Sequence, residues 1–273
     1  MRETFRIDEG AACATPDTCA LGVVAKAPAA GRVKTRLAPP LTPEEAAALG
    51  LCFLRDACAN VAGVAADADA AGVAVYTPAE ALSFFEEILP RGFYTLPQRG
   101  DSLAERLTRA TEELFAAGFA SVCLINSDSP TLPPALLRSA ALALARPGDR
   151  VVLGPADDGG YYLVGLKRAH PSLFENIEWS TPRVLAQTIG RARSIGLEVE
   201  LLPRWYDVDD AASLARLVRE LFGGDDDEPS SAEKSDGAPP RRFDAPHTRD
   251  WLEKFLTTEK GRSTALSARG PTG

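Results

Sequence analysis

Short apolar runs, often β-branched, alternate with longer helical patterns through most of the chain. This alternation predicts an α/β layer fold. Several runs lack the apolar–polar alternation of a half-exposed strand, which indicates a sheet that is covered on both faces. The predicted strands are residues 20–25, 72–77, 93–98, 121–126, 150–155, 160–166 and 197–202.

Three of the helical stretches carry recognisable start signals. The sequence "TPEE" from Thr42 predicts a capping box with proline at the first helical position. Asp101 is expected to cap the helix that follows it. Asp209 or Asp210 is expected to cap the last helix of the globular part, which ends near Phe222.

Composition divides the chain into three parts. Residues 1–19 are an N-terminal extension, residues 20–222 form the predicted globular domain, and residues 223–273 form a tail rich in charged residues, Pro, Ser and Gly. Such a tail buries too little apolar surface to offset the entropy of ordering it. We expect it to be disordered, apart from a short possible helix near residues 249–257, and to contribute little to the melting temperature.

Charge and cysteine usage exclude several classes of protein. The 273 residues carry a net charge of -8, so no electrostatic footprint for nucleic acid is present. The five cysteines form no CxxC pair, and they predict neither a disulfide framework nor a zinc site. No uninterrupted apolar stretch reaches the length of about 20 residues that spans a bilayer, and the N-terminus lacks the apolar region of a signal peptide. We therefore predict a cytoplasmic protein.

A basic loop follows the first predicted strand of the globular domain. It carries Lys26, Arg32, Lys34 and Arg36, a concentration of positive charge that is unusual in an acidic protein. Ligands of open α/β sheets bind beyond the carboxyl ends of the strands, and Lys and Arg at that place favour phosphate. The alternative is a solvated surface loop. The glycine spacing matches neither a Walker A loop nor GxGxxG.

Acidic residues follow two later strands. In "LINSDSPTLP", Asp128 ends an apolar run, and a plain turn is the simplest interpretation. In "WYDVDDAASL", Asp207 and Asp209 alternate along an extended segment, so one of them could meet Asp128 while the other caps a helix. Mg²⁺ is held by one or two carboxylates with substrate phosphates and waters. The sequence therefore indicates a divalent-metal site, for Mg²⁺ or Mn²⁺.

Two further motifs are candidates for the site. Asp157 and Asp158 stand before a glycine pair between two strands, which is a strong hairpin signal. A carboxylate at that turn could also act as a general base or bind sugar hydroxyls. Gly100, just before a helix N-terminus, is placed to contact a nucleotide or its phosphates.

Taken in order, these motifs resemble a known family. The segments "KAPAAGRVKTRLAP", "QRGDSLAERL", "NSDSPTLP", "GPADDGGYYLVGL", "EWSTPRVL" and "WYDVDD" look like the DUF2064 group, also labelled transferase 1, rSAM/selenodomain-associated. The resemblance implies a Rossmann-like three-layer GT-A (nucleotide-diphospho-sugar transferase) fold with a mixed, mostly parallel sheet. The start of the chain is also similar to 2-phospholactate guanylyltransferase. The first loop lacks the double glycine of many sugar nucleotidyltransferases, and Asp128 stands in Asp-Ser-Pro instead of Asp-x-Asp.

The resemblance also implies roles for residues of this sequence. Lys26, Lys34 and Arg36 would contact nucleotide phosphates, Asp128 would match the metal-binding acid of the fold, and Asp209 would be the second acid. We therefore favour a metal-dependent transferase that moves a glycosyl group from an NDP-sugar donor to a small acceptor. The alternatives are a nucleotidyltransferase that releases pyrophosphate from an NTP and a nucleotide-binding module without turnover.

Overall fold

The computed structural model describes residues 4–9, 15, 17–223, 240–258 and 261 of the protein. The strands are β1 (Phe5–Arg6), β2 (Cys19–Lys26), β3 (Ala70–Thr77), β4 (Tyr94–Pro97), β5 (Ser121–Asn126), β6 (Arg150–Pro155), β7 (Tyr161–Leu166) and β8 (Glu198–Leu201). The helices are α1 (Pro43–Ala66), α2 (Leu82–Ile88), α3 (Leu103–Ala116), α4 (Pro134–Ala145), α5 (Val184–Ser194), α6 (Ala211–Phe222) and α7 (Pro246–Leu256). Every strand predicted from the sequence is present, and β1 is the one strand within the described ranges that was not predicted.

All the strands form one sheet in the order β1-β4-β3-β2-β5-β7-β6-β8. β7 runs antiparallel to both of its neighbours, and the other pairs are parallel. This confirms the predicted α/β fold with a mixed, mostly parallel sheet. β3 lies on one side of β2 and β5 on the other, so the strand order reverses at β2. A crevice for ligands is expected beyond the carboxyl ends of strands at such a point.

Successive residues of the central strands enter two different cores. In β5, Val122 and Leu124 pack on the side of α3 and α5, whereas Cys123 and Ile125 pack on the side of α1, α2 and α4. Side chains alternate between the two faces of a strand, so a strand with apolar residues at every position needs helices on both sides. The continuous apolar runs in the sequence have this physical cause.

The helix starts agree only partly with the predicted caps. Thr42 forms the predicted capping box at α1. The prediction of Asp101 for α3 is wrong, because the hydroxyl of Ser102 occupies the capping position and accepts the backbone N–H three residues on. Asp210 caps α6, which leaves the neighbouring carboxylate of Asp209 available for other contacts.

Helix α7 packs against α1 through a buried carboxylate and an apolar face. Asp56 of α1 accepts the backbone N–H groups of His247 at 3.0 Å and of Thr248 at 2.8 Å. Leu252 and Phe255 are buried in a third apolar cluster, which also contains residues of α1 and α6. These contacts satisfy two of the N–H groups that have no partner within the first turn of a helix.

The short helix expected near residues 249–257 corresponds to α7. Residues 224–239, 259–260 and 262–273 lie outside the described residues. The expected disorder of the tail therefore stays a prediction, as do the predicted limits of the globular domain.

Helix α1 is long and apolar enough to cross a membrane by length and hydropathy alone. Half of its most apolar window is buried in the fold, and the buried residues pack against the sheet and α7. A core helix of a globular domain passes the same test, so α1 is weak evidence for a membrane span.

Candidate active site

A polar cleft of about 650 Å³ opens beyond the carboxyl ends of β2, β3 and β5. Its position agrees with the crevice expected from the strand order. The sequence-predicted residues that line it are Lys26, Lys34, Arg36, Asp128, Asp158 and Asp209. Asp157 and Gly100 were also predicted for the site, but neither lines the cleft. The fold therefore brings together charged residues that lie far apart in the sequence.

The ammonium group of Lys34 is the centre of the charged cluster. Lys34 Nζ lies 2.6 Å from Asp128 Oδ1 and 2.9 Å from Asp209 Oδ1. It also donates to the backbone oxygen of Val208 at 2.8 Å. An ammonium group has three N–H donors, and these three acceptors use all of them. Asp128 and Asp209 are therefore neighbours, joined by one cation.

The surroundings of Lys34 hold this cation firmly. Its side chain is only 7% exposed, and Nζ lies 5.3 Å from the centre of the Phe53 ring. Burial lowers the pKa of Lys34, but the charges of Asp128 and Asp209 outweigh that effect and raise the pKa above its ordinary value. The backbone of Lys34 is left-handed, with φ of 50°. A left-handed non-glycine residue is strained, so surrounding contacts must maintain this conformation.

Asp128 is placed by the turn that ends β5. Its backbone N–H donates to Asn126 Oδ1 at 3.2 Å, and its backbone oxygen accepts the N–H of Val208 at 2.8 Å. The Asp128 side chain is 37% exposed. Within the described part of the chain, Oδ2 of this carboxylate has no protein partner. One oxygen of Asp128 is therefore paired with Lys34, and the other is available to a ligand.

Asp207 lies beneath this turn and is held by two side chains of it. Its Oδ1 accepts from Asn126 Nδ2 at 2.8 Å and from Ser129 Oγ at 2.6 Å. Burial raises the pKa of Asp207 to about 6, although these two hydrogen bonds lower it; the charges of Asp128 and Asp158 raise it further. The residue pattern left Asp207 and Asp209 open, and the family resemblance favoured Asp209 as the second acid. In the structure Asp209 contacts the Lys34 ammonium group, whereas Asp207 supports the turn behind Asp128.

Two predicted phosphate contacts keep exposed donors. Arg36 donates to Asp209 Oδ2 at 3.0 Å, and its side chain is 67% exposed. Lys26 Nζ donates to the backbone oxygen of Arg32 at 3.2 Å. Each cation retains further N–H groups at the cleft, and Arg and Lys both bind phosphate through such groups.

Sequence reasoning missed several polar residues of the cleft wall, among them Gln98 and Arg106. Gln98 Nε2 donates to the backbone oxygens of Ala25 at 3.2 Å and Val75 at 2.8 Å. Arg106, on the first turn of α3, donates through Nε to the oxygen of Gly100 at 2.9 Å. Gly100 thus orients a cleft cation without lining the cleft itself. The helical pattern after Gly100 could have identified Arg106, because the start of α3 lies at the same end of the sheet.

The turn between β6 and β7 is held tightly against the segment before α5. Gly159 has φ of 89°, and a Cβ atom there would lie 2.3 Å from the oxygen of Pro182. The N–H of Leu185 donates to the oxygen of Gly159 at 2.9 Å. Only glycine fits both the positive φ and this close approach. The glycine of the motif is therefore required by packing as well as by the turn.

The two carboxylates of this turn lie in different surroundings. Asp158 lines the cleft, and its Oδ1 accepts the N–H of Gly160 at 2.8 Å. Asp157 pairs with Arg216 of α6 at 2.7 Å. Ser180 lines the cleft together with Asp158 and has φ of 62°, which is uncommon for serine. Asp158 is therefore better placed than Asp157 to touch a bound molecule.

The site fits a divalent metal only together with a ligand that brings oxygen atoms. Asp128 and Asp209 supply two carboxylates, and no group of three or more His, Cys, Asp and Glu side chains suited to a metal occurs in the described ranges. Mg²⁺ commonly binds through one or two carboxylates, with substrate phosphates and waters as its other ligands. The donor set matches that pattern.

Comparisons with known proteins found a family model and solved structures that this chain resembles. Residues 60–181 match DUF2064, described as an uncharacterized protein conserved in bacteria. The chain is 28% identical to a proposed nucleotide-diphospho-sugar transferase of Desulfovibrio desulfuricans G20, with a TM-score of 0.73 over 91% of this chain and 98% of that chain. No curated protein matches this chain.

More distant structures include two that are named for CMP or CTP chemistry. One is CMP:2-keto-3-deoxy-manno-octonic acid synthetase complexed with CTP, which is 12% identical, with a TM-score of 0.49 over 76% of this chain and 98% of that chain. The other is the inositol-1-phosphate CTP transferase of T. maritima, which is 15% identical, with a TM-score of 0.47 over 76% of this chain and 95% of that chain. The match to DUF2064 and the likeness to the Desulfovibrio protein confirm the family resemblance that the motifs predicted, together with its nucleotide-diphospho-sugar transferase fold.

Proposed function

We propose that the protein is a metal-dependent transferase that uses a nucleotide-activated donor, and that it moves a glycosyl group from an NDP-sugar to a small acceptor. The observation that carries the proposal is the pairing of Asp128 and Asp209 around a single cation position in the cleft. The likeness to the Desulfovibrio protein supports the coarser part, a transferase that uses nucleotides.

The basic residues of the cleft would bind the donor. Arg36 and Lys26 offer exposed N–H groups to the diphosphate, and Arg106 extends the positive wall towards α3. Asp128 and Asp209 would hold Mg²⁺ or Mn²⁺ against the same diphosphate. When bound there, the metal would supply positive charge to offset the negative charge on the departing nucleoside diphosphate.

Asp158 would act on the acceptor. It lines the cleft, and a carboxylate within reach of a hydroxyl group can remove its proton as the bond to the sugar forms. Asp157 is already paired with Arg216 outside the cleft lining. We therefore propose Asp158 as the general base of the two candidates in the turn. The acidic side chain of Asp158 in the cleft also favours catalysis over nucleotide binding without turnover.

Nucleotidyl transfer is the second candidate. Arg106 favours it, because this cleft cation could neutralise a third phosphate. The likeness to the Desulfovibrio protein, which is named for nucleotide-diphospho-sugar transfer, favours the diphosphate donor. The two reactions release different products, nucleoside diphosphate and pyrophosphate, so product analysis separates them.

The test is a panel of NDP-sugars and NTPs with Mg²⁺, Mn²⁺ or a chelator. Thermal melting would report binding, because a ligand at 100 times its dissociation constant stabilises a protein by about 2.7 kcal/mol. We expect metal-dependent stabilisation and release of a nucleoside diphosphate when an acceptor is present. Release of pyrophosphate from an NTP would establish the second candidate. Binding without any product would leave a nucleotide-binding module, and no stabilisation by any nucleotide would reject the proposal.

A further inference from the structure

We infer that the ammonium group of Lys34 occupies the metal position in the ligand-free protein and is displaced when a metal enters together with a phosphate ligand. The inference rests on the proposed function, because it concerns the same pair of carboxylates. It assigns Lys34 a role different from a permanent phosphate contact. Lys34 would exclude the free metal ion from the site and admit a metal that is bound to phosphate.

The ammonium group of Lys34 fills the space between the two carboxylates. Asp128 Oδ1 and Asp209 Oδ1 lie 2.6 and 2.9 Å from Lys34 Nζ. A cation that bridged these two oxygens would need the space that the ammonium group fills. Since all three ammonium donors are already used, Lys34 cannot also bind a phosphate without releasing at least one of these partners.

The charge balance of the cluster favours a metal that arrives together with phosphate over a metal that arrives alone. Lys34 and Arg36 neutralise Asp128 and Asp209 in the ligand-free protein. A divalent ion that entered alone would add two positive charges beside a poorly solvated ammonium group, which is unfavourable at such short distances. A metal that arrives with a diphosphate brings its own negative charge. The displaced ammonium group then finds phosphate oxygens in the cleft.

The present conformation of Lys34 is energetically costly. Its backbone is left-handed, with φ of 50°, and its side chain is buried against Phe53. Such strain persists only where neighbouring contacts maintain it, and here those contacts include the carboxylates of Asp128 and Asp209. When a metal replaces the ammonium group at these carboxylates, the lysine can relax into the cleft that it already lines.

The experiment measures Mn²⁺ binding without nucleotide, from the loss of the free Mn²⁺ signal in electron paramagnetic resonance. We expect wild-type protein to bind Mn²⁺ weakly and Lys34→Met to bind it at least about tenfold more tightly, because the competing charge is removed. Lys26→Met is the matched control, since it removes the same charge from the same cleft without touching either carboxylate. Its Mn²⁺ affinity should change by about twofold or less, as expected for an exposed and screened charge.

A second variant keeps the test valid if Lys34→Met does not fold. Lys34→Gln keeps a hydrogen-bond donor near the carboxylates and removes the charge, and it should also bind Mn²⁺ more tightly than wild-type protein. Equal or weaker Mn²⁺ binding by the folded Lys34 variants would overturn the inference and show that Lys34 is a fixed structural cation.

A further set of measurements distinguishes failure of this inference from failure of the proposed function. UDP, CDP, GDP and ADP are each added with Mn²⁺ to wild-type protein. We expect at least one of them to raise the Mn²⁺ retained by the protein above the amounts bound by protein alone and by nucleotide alone. If none does so, the proposed metal site and the inference both fall. If one does while Lys34→Met and Lys34→Gln bind Mn²⁺ no better than wild-type protein, only the inference falls.

Discussion

Asp56 and Asp128 lie in contrasting surroundings in this fold. The carboxylate of Asp56 stabilises the packing of two helices, whereas that of Asp128 faces the cleft. Asp56, in the junction between α1 and α7, is fully buried, and each of its oxygens accepts a backbone N–H. Asp128, at the cleft, gives one oxygen to the side chain of Lys34 and leaves the other accessible. Backbone donors of a packed helix cannot be exchanged for a ligand, whereas a side-chain cation can be replaced.

The same contrast holds for the surroundings of each carboxylate. The α1–α7 junction is completed by apolar side chains, among them Leu252 and Phe255. The cleft is completed by charged residues with unused donors, among them Arg36 and Lys26. Changes at the junction should therefore appear in the free energy of unfolding. Changes in the cleft should appear in binding and turnover.

The largest effect is expected for Asp128→Asn. Loss of one metal-binding carboxylate should reduce turnover about a thousandfold, because a catalytic metal supplies several kcal/mol of transition-state stabilisation. The free energy of unfolding should also fall, by about 1 to 3 kcal/mol, because the buried ammonium group of Lys34 loses the charge of one of its two carboxylate partners. Product release with the best donor and urea unfolding check both statements. Asp67→Asn, which removes an exposed carboxylate paired with Arg138, is the control and should behave as wild type.

Leu252→Ala should produce the opposite pattern. Leu252 is 1% exposed in the core between α1 and α7, and truncation of a buried leucine costs about 3 kcal/mol. Urea unfolding should show this loss while nucleotide affinity is kept. The exposed Leu142 provides the control, and Leu142→Ala should change stability by less than about 0.5 kcal/mol.

This result would also revise the expectation that the tail is dispensable. Removal of the chain after Phe222 deletes the contacts of Leu252 and the two N–H donors to Asp56. It should therefore lower the melting temperature by more than the few degrees expected from the sequence. A Leu252→Ala protein as stable as wild type would show that α7 contributes little.

Asp158→Asn should separate the two acids of the turn. Loss of a general base typically reduces turnover by about a hundredfold or more, whereas donor binding should persist, because no donor contact is proposed for Asp158. Asp157→Asn should retain most of the turnover, since Asp157 is paired with Arg216. Steady-state turnover and donor affinity are the measurements. Equal losses in both variants would mean that the turn acts as a structural unit.

The smallest expected effect is a pH dependence of the free energy of unfolding, caused by Asp56 in the α1–α7 junction. Burial raises the pKa of Asp56 above its ordinary value near 3.8, although the hydrogen bonds from Thr248 and His247 lower it. The folded state therefore favours the protonated form. The stability that this group contributes is complete below about pH 4 and is lost as the pH rises through the raised pKa.

Asp56→Asn removes this titration while it keeps one acceptor. The stability of wild-type protein relative to Asp56→Asn should fall as the pH rises above about 4, by about 1.4 kcal/mol for each unit by which the pKa is raised. Urea unfolding at several pH values measures the difference. His247 faces the same carboxylate, so His247→Gln in both backgrounds controls for the influence of this side chain on Asp56. A difference that does not vary with pH would contradict this account.

The sequence by itself determined the framework of the protein. Apolar runs without alternation predict a sheet covered on both faces, and the cores on its two sides have that form. The place of Asp128 after a strand, and of the basic loop after another, follows from the same pattern, because the carboxyl ends of parallel strands meet at one edge. Local signals such as the Thr42 capping box were readable for the same reason.

Only the tertiary structure decided which charged groups meet. In the structure Lys34 pairs with the carboxylates of Asp128 and Asp209. Asp158 lines the cleft, whereas Asp157 pairs with Arg216. The first turn of α7 donates two backbone N–H groups to Asp56. Periodicity describes which face of an element is buried, but the path of each loop depends on packing against distant parts of the chain. Side chains that are neighbours in the sequence can therefore reach different partners, and the chemistry of the site depends on those partners.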